Sequence, residues 1–226
     1  KSVFKYAVKT YCIYNPMEGV SLPRKKTSDI RLLDKKEQLC LEEYVSKIHN
    51  STTLGITLAM TTGIRIGELC ALQWKDIDLE KRILTVSKTV QRIQLHEADR
   101  KTKLIITEPK SESSKRIIPI PEAVVAFLKE MRENDEDFVV SGTSRVIEPR
   151  TMQYRFAKIL KNVNLPSVHF HALRHMFASN CIRLGFDIKA LSEILGHSSV
   201  EITLNRYVHS SFEQKTEYMN RITICV

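Results

Sequence analysis

Apolar and polar positions change period twice along this chain. Over residues 1–14, Val3, Phe4, Ala7, Val8, Tyr11 and Cys12 recur every three or four residues, which is helical spacing with one apolar face. Asn15-Pro16 ends that helix, because proline disfavours helical geometry at the residue before it. The stretch NPMEGVSLPRKKTSD, with two prolines and a basic cluster, reads as a linker. Asp34 with Glu37 forms a capping-box pattern that opens a helix over KKEQLCLEEYVSKI. A second apolar helix covers 52–62 and stops at Gly63, and a third runs from Ile66 to about Leu72.

The period then shortens to two. ILTVSKTV (83–90), KLIITE (103–108) and KRIIPI (115–120) are β-branched runs between polar loops, and they predict a small three-stranded antiparallel sheet. The segment between the first two strands is long and carries Arg92, Arg100, Lys101 and Lys103. Helical spacing returns at Pro121, a residue favoured in a first helical turn, and continues through PEAVVAFLKEMREN. FVVS (138–141) is a short strand candidate. Further helices are expected at 150–163, 170–184, 187–195, 199–206 and near 212–221. The fold class is therefore α+β, mainly helical.

Composition narrows the function. The 226 residues can bury a sizeable core, and 42% hydrophobic with 27% charged residues is ordinary for a globular protein. Lys+Arg exceed Asp+Glu by 35 − 26 = 9, which favours a polyanionic partner. The five cysteines are scattered, without a Cys-x-x-Cys pair, so neither a disulfide framework nor a zinc knuckle is indicated. The longest uncharged run, Asn50 to Ile64, is too short to span a bilayer. A reducing cytoplasm and no membrane association are expected.

Candidate chemistry is cationic. The chain has no HExxH, Walker loop or GxSxG motif, and the acidic run Asp135-Glu136-Asp137 reads as a solvated loop. Arg65 in TGIRIGEL stands at a helix start, where Glu68 three residues on can also cap it. In HALRH, His171, Arg174 and His175 fall at i, i+3 and i+4 and can share one helical face. His171 and His175 also have a two-ligand metal spacing, although no HExxH-type glutamate accompanies them. His197 follows Gly196, where one helix ends and another begins, and Tyr207 lies ten residues later. Singly, each reads as well as a cap, a surface cation or a packing residue. Jointly they suit phosphoryl transfer, in which fixed cations stabilise charge growing on non-bridging oxygens.

These segments resemble the tyrosine recombinase (phage integrase) family, most closely the integrases of conjugative transposons. The resemblance rests on TGIRIGEL (62–69), LQWKDID (72–78), EPKSESSKRIIPI (108–120), HALRHMFAS (171–179), LGHSS (195–199) and Tyr207 before Val208-His209. It implies a tyrosine recombinase catalytic-domain fold and site-specific recombination that integrates or excises a mobile element. By this resemblance Arg65 and Arg174 clamp the scissile phosphate, and Tyr207 attacks it to leave a 3′-phosphotyrosyl link. Lys110 protonates the leaving 5′-oxygen, with Lys115 in the same loop as the alternative. His171 accepts the tyrosine proton, His197 donates to a phosphate oxygen, and Glu68 and His175 orient these groups. No metal and no cofactor are implied.

The implied partner is double-stranded DNA, held by a homotetramer on two duplexes, with the chain alone monomeric in solution. The implied domains are 1–14, the last helix of a truncated core-binding domain; 15–29, an interdomain linker; 30–209, the catalytic domain; and 210–226, a C-terminal tail that packs on a neighbouring subunit or on its own domain. A type IB topoisomerase or telomere resolvase would share the chemistry without this strand exchange. A DNA-binding helical module would use the same cations only to grip phosphate.

Overall fold

The computed structural model describes residues 2–11, 13–16, 18–21, 31–94, 102–109, 114–207, 216 and 219–220. Two compact units divide the chain, Lys1–Ile30 and Arg31–Val226. The first contains helix α1 (Ser2–Tyr11), on which Val3, Tyr6 and Tyr11 are exposed.

The second unit is built on helices. α2 (Lys35–Lys47) opens on the expected capping box: Asp34 accepts from the Glu37 N–H at 2.9 Å, and the Glu37 carboxylate accepts from the Asp34 N–H at 2.9 Å. α3 (Ser51–Thr62) is apolar on most sides and buries Leu54, Ile56, Leu58 and Ala59. Full burial of one such leucine contributes about 1.5–3 kcal/mol. Its end is fixed by Gly63 in the left-handed region, φ 63°. A Cβ there would lie 2.5 Å from Phe177 and 2.8 Å from Leu195, so glycine is required on two counts. The short α4 (Ile66–Ala71) follows at once.

The sheet region departs from expectation in detail. A three-stranded antiparallel sheet is present, but its order is β1 (Ile77–Asp78), β2 (Ile83–Val86) and β5 (Arg116–Pro119). The run 83–90 is two strands, broken at Ser87-Lys88. Its second half, β3 (Thr89–Gln94), pairs with β4 (Thr102–Thr107) as a separate two-stranded ribbon. Leu84 and Val86 point into the core, whereas Lys88 at the next inward position reaches the Gln73 amide, and the chain leaves the first sheet there. Arg92 and Lys103 thus lie on strands, while Arg100 and Lys101 fall outside the described residues. Gly67 lets α4 sit against the ribbon, since a Cβ would lie 2.9 Å from the Val90 carbonyl.

After β5 come α5 (Glu122–Met131), α6 (Pro149–Asn162), α7 (His171–Arg183), α8 (Ile188–Leu195) and α9 (Val200–Tyr207). FVVS is not a strand. Phe138 makes single bridges to Gln73 and Thr143, and Val139 and Val140 are buried in a turn. The helix expected near 212–221 lies mostly outside the described residues. Among the described residues no helix is long and apolar enough to cross a membrane.

α7 is buried over most of its surface, from Ala172 to Ala178. It packs beside α3, and its far side closes over α8 in a smaller cluster of Phe177, Ala178, Cys181, Leu191 and Leu195. The end of α3, the start of α7 and the end of α8 meet around one spot.

Candidate functional site

At that spot is a cleft of about 270 Å³, lined by Arg65, Ser114, His171, Arg174, Gly196, His197, Ser198 and Ile202. Four of the expected residues, from segments more than a hundred positions apart, therefore share one wall.

Each is set by local structure. Arg65 precedes α4 with extended backbone, φ −73° and ψ 146°. Its guanidinium donates to Glu68 at 2.7 Å and to the Gly196 carbonyl at 2.8 Å, 131 residues along the chain. Arg174, on the first turns of α7, is 2% exposed and donates to the Gly63 carbonyl at 2.8 Å and the Leu195 carbonyl at 2.6 Å. The two guanidiniums thus hold successive carbonyls of one turn, at the end of α8. That turn exists because Gly196 takes a left-handed C-cap, φ 63°, which lets the His197 N–H donate back to the Ser192 carbonyl at 3.1 Å.

His197 is then fixed from its other side, with Nδ1 2.8 Å from the buried Thr203 hydroxyl on α9. His171 is exposed at the start of α7, and its ring meets His175 edge-on at 4.8 Å. His175 is itself buried. The expected shared helical face is therefore graded in depth, with His171 at the surface and Arg174 and His175 beneath it.

Sequence reasoning missed Arg116. It is 6% exposed and meets the buried Glu68 carboxylate with two nitrogens, at 2.9 and 3.2 Å. It also donates to the carbonyls of Ile194 at 2.6 Å and Ser114 at 3.1 Å. The signal was present: Arg116 and Ile118 alternate along β5 and Ile120 follows just beyond it, so Arg116 shares the core-facing register of two buried isoleucines. Burial pushes the Glu68 carboxyl up, but hydrogen bonds and charge from Arg116 and then Arg65 outweigh it and hold the group below the usual carboxylate range. Two guanidiniums meet one carboxylate here and that of Arg174 lines the same cleft, an excess of positive charge suited to an anion.

Lys110 lies outside the described residues. Lys115 is described, with Nζ 2.7 Å from Glu108. The backbone of Tyr207 closes α9, eleven residues after Gly196, and its side chain lies outside the described set. Among the described residues no group of three or more His, Cys, Asp or Glu side chains is gathered as a metal site needs.

A mainly helical α+β domain brings two arginines and two histidines onto one small cleft, an arrangement that suits an anion. The chain belongs to the phage integrase family, whose profile matches residues 31–214. It is similar to a tyrosine recombinase XerC-like protein of Caldanaerobacter subterraneus subsp. tengcongensis, 32% identical over 96% of this chain and 61% of the relative. It is also similar to the transposase from transposon Tn916 of Enterococcus faecalis, 28% identical over 84% of this chain and 50% of the relative. Among solved structures, the Tn1549 transposon integrase in complex with transposon right end DNA superposes with a TM-score of 0.75 at 26% identity, over 98% of this chain and 76% of that one. The chain thus spans about half to three fifths of the length of these curated relatives.

Proposed function

We propose that this chain is the catalytic portion of an integrase that cuts and rejoins double-stranded DNA, integrating or excising a mobile element. The observation that carries the proposal is the meeting of Arg65, Arg174, His171 and His197 on one small cleft. The integrase family membership and the DNA held by the Tn1549 integrase support it.

In the proposed reaction the phenolic oxygen of Tyr207 attacks the scissile phosphorus and the bond to the 5′-oxygen breaks. The phenol proton passes to His171, and Lys110 supplies a proton to the leaving 5′-oxygen. Arg65 and Arg174 bind the non-bridging oxygens, where planar forks donate paired hydrogen bonds to the transition state. His197 donates one more, steadied by Thr203. Glu68 and His175 hold these groups in place. The scheme needs no metal ion or cofactor. The phosphodiester energy stays in the protein–DNA link, so a free 5′-hydroxyl of another strand can reverse the step and reseal.

Around this core we assign residues 1–14 to the last helix of a core-binding domain, 15–29 to a linker, 30–209 to the catalytic domain and 210–226 to a tail. The division of compact units after Ile30 supports the boundary between linker and catalytic domain, to within one residue. The assembly proposed is four copies on two duplexes, formed on DNA in a bacterial cytoplasm from chains that are monomeric alone. The bacterial sources of the relatives support that setting.

The test is covalent trapping on a nicked duplex. Arg65→Ala and Arg174→Lys should each slow adduct formation by about 10²–10³, the usual loss for one preorganised donor. DNA affinity should change little. An adduct at the wild-type rate in either variant would remove the basis of the proposal.

A further inference from the structure

Arg116 is a nearly enclosed cation beside the cleft, and the reaction just proposed gives it no part. Its contacts join three walls: the Glu68 carboxylate on α4, the Ser114 carbonyl ahead of β5 and the Ile194 carbonyl on α8. Ser114 itself lines the cleft. Glu68 is 4% exposed and shared: the Arg65 guanidinium donates to one oxygen, the Arg65 backbone N–H to the other, and Arg116 to both. A buried carboxylate with one counter-ion draws that ion fully to itself, because little water is present to screen it.

We propose that Arg116 is a positioning residue: by neutralising Glu68 it leaves the Arg65 guanidinium free to engage a phosphate in the cleft. This rests on the reading of the cleft as a phosphate site. Arg65 keeps a third of its side chain exposed, whereas Arg116 is nearly enclosed, so the two arginines divide the work. Arg116 meets the carboxylate from inside with two nitrogens, and Arg65 meets it with one, at 2.7 Å. Remove Arg116, and Glu68 becomes a competitor for the cation that should meet DNA.

A double-mutant cycle separates this role from plain support of the fold. Full-length chains carrying Arg116→Gln, Glu68→Gln or both are compared for inorganic phosphate affinity and for adduct rate on the nicked duplex. Arg116→Gln alone should weaken both by about tenfold or more, the scale of one charged hydrogen bond. In the Glu68→Gln background the same change should alter phosphate affinity by less than about threefold, since no carboxylate remains to be balanced. Arg116→Lys, which keeps the charge, should recover part of the loss. Where Arg116→Gln does not fold, the double variant answers alone, by matching Glu68→Gln within that margin.

An equal loss from Arg116→Gln in both backgrounds overturns the inference, and so does a wild-type chain that binds no phosphate. If phosphate affinity follows the cycle while no adduct forms, strand cleavage fails and the positioning role stands. If adducts form but the cycle shows no coupling, only the positioning role fails.

Discussion

Residue by residue, the cleft is a matter of what burial does to charge. Arg174 is enclosed yet donates to two carbonyls at the ends of α3 and α8, so its charge is both fixed and kept close to the cleft. Glu68 is the opposite charge, and its lowered pKa is also a statement about stability. A carboxyl held below its unfolded value adds stability that is complete above about pH 4.5 and fades as pH falls through the folded value. Unfolding midpoints in urea between pH 7 and pH 3 should therefore fall more steeply for the wild type than for Glu68→Gln. Parallel curves would mean that Glu68 is not held ionised by its arginines. The cysteines behave differently: burial pushes the Cys70 thiol up to about 12 and the Cys181 thiol up to about 11. Native protein at pH 8 should be alkylated at half-buried Cys40 well before either, as read by mass spectrometry, and prompt labelling of Cys70 would contradict its burial. Motif reading found Arg65, Glu68, His171, Arg174, His175 and His197 because each stands beside a helix boundary or in a short signature. It missed Arg116 and Thr203, whose side chains meet Glu68 and His197 through contacts that no motif marks.

Among the elements, the decisive features are ends. α3 stops where Gly63 turns left-handed, and the carbonyl it presents is the one Arg174 takes. Gly63→Ala would strain φ and drive a methyl into Phe177 and Leu195. It should lower stability by about 1–3 kcal/mol in chemical denaturation. It should also slow strand cleavage, because α7 and α8 must move apart. A variant as stable and active as wild type would show that this close approach is not needed. Helix ends were legible from the sequence because their signals are local: Asp34 with Glu37, Gly63, Pro121 and Gly196. Strand partners were not. The run 83–90 looks continuous by composition, yet Lys88 breaks it, and pairing 83–86 with 116–119 depends on contacts some thirty residues apart. The β3–β4 ribbon is anchored instead by Arg92, whose guanidinium meets Glu148 at 2.7 and 2.8 Å ahead of α6. No local pattern predicts such a bond.

At the scale of the whole molecule, an excess of nine positive charges fits a protein that binds a phosphate backbone. Binding of this chain to duplex DNA should weaken steeply with salt, each phosphate contact contributing roughly −0.9 to the log–log slope. A flat salt dependence, measured by fluorescence anisotropy, would argue against backbone contact. The proposed reaction requires that one cleft hold the phosphate and that the attacking oxygen come from Tyr207. The measurement that tests it most directly is to trap the chain on a nicked duplex, digest the adduct and identify the residue that carries the nucleotide. A single linkage at Tyr207 is expected, with no adduct from Tyr207→Phe, which should keep its DNA affinity. A nucleotide on any other residue, or an undiminished adduct from the phenylalanine variant, would contradict it.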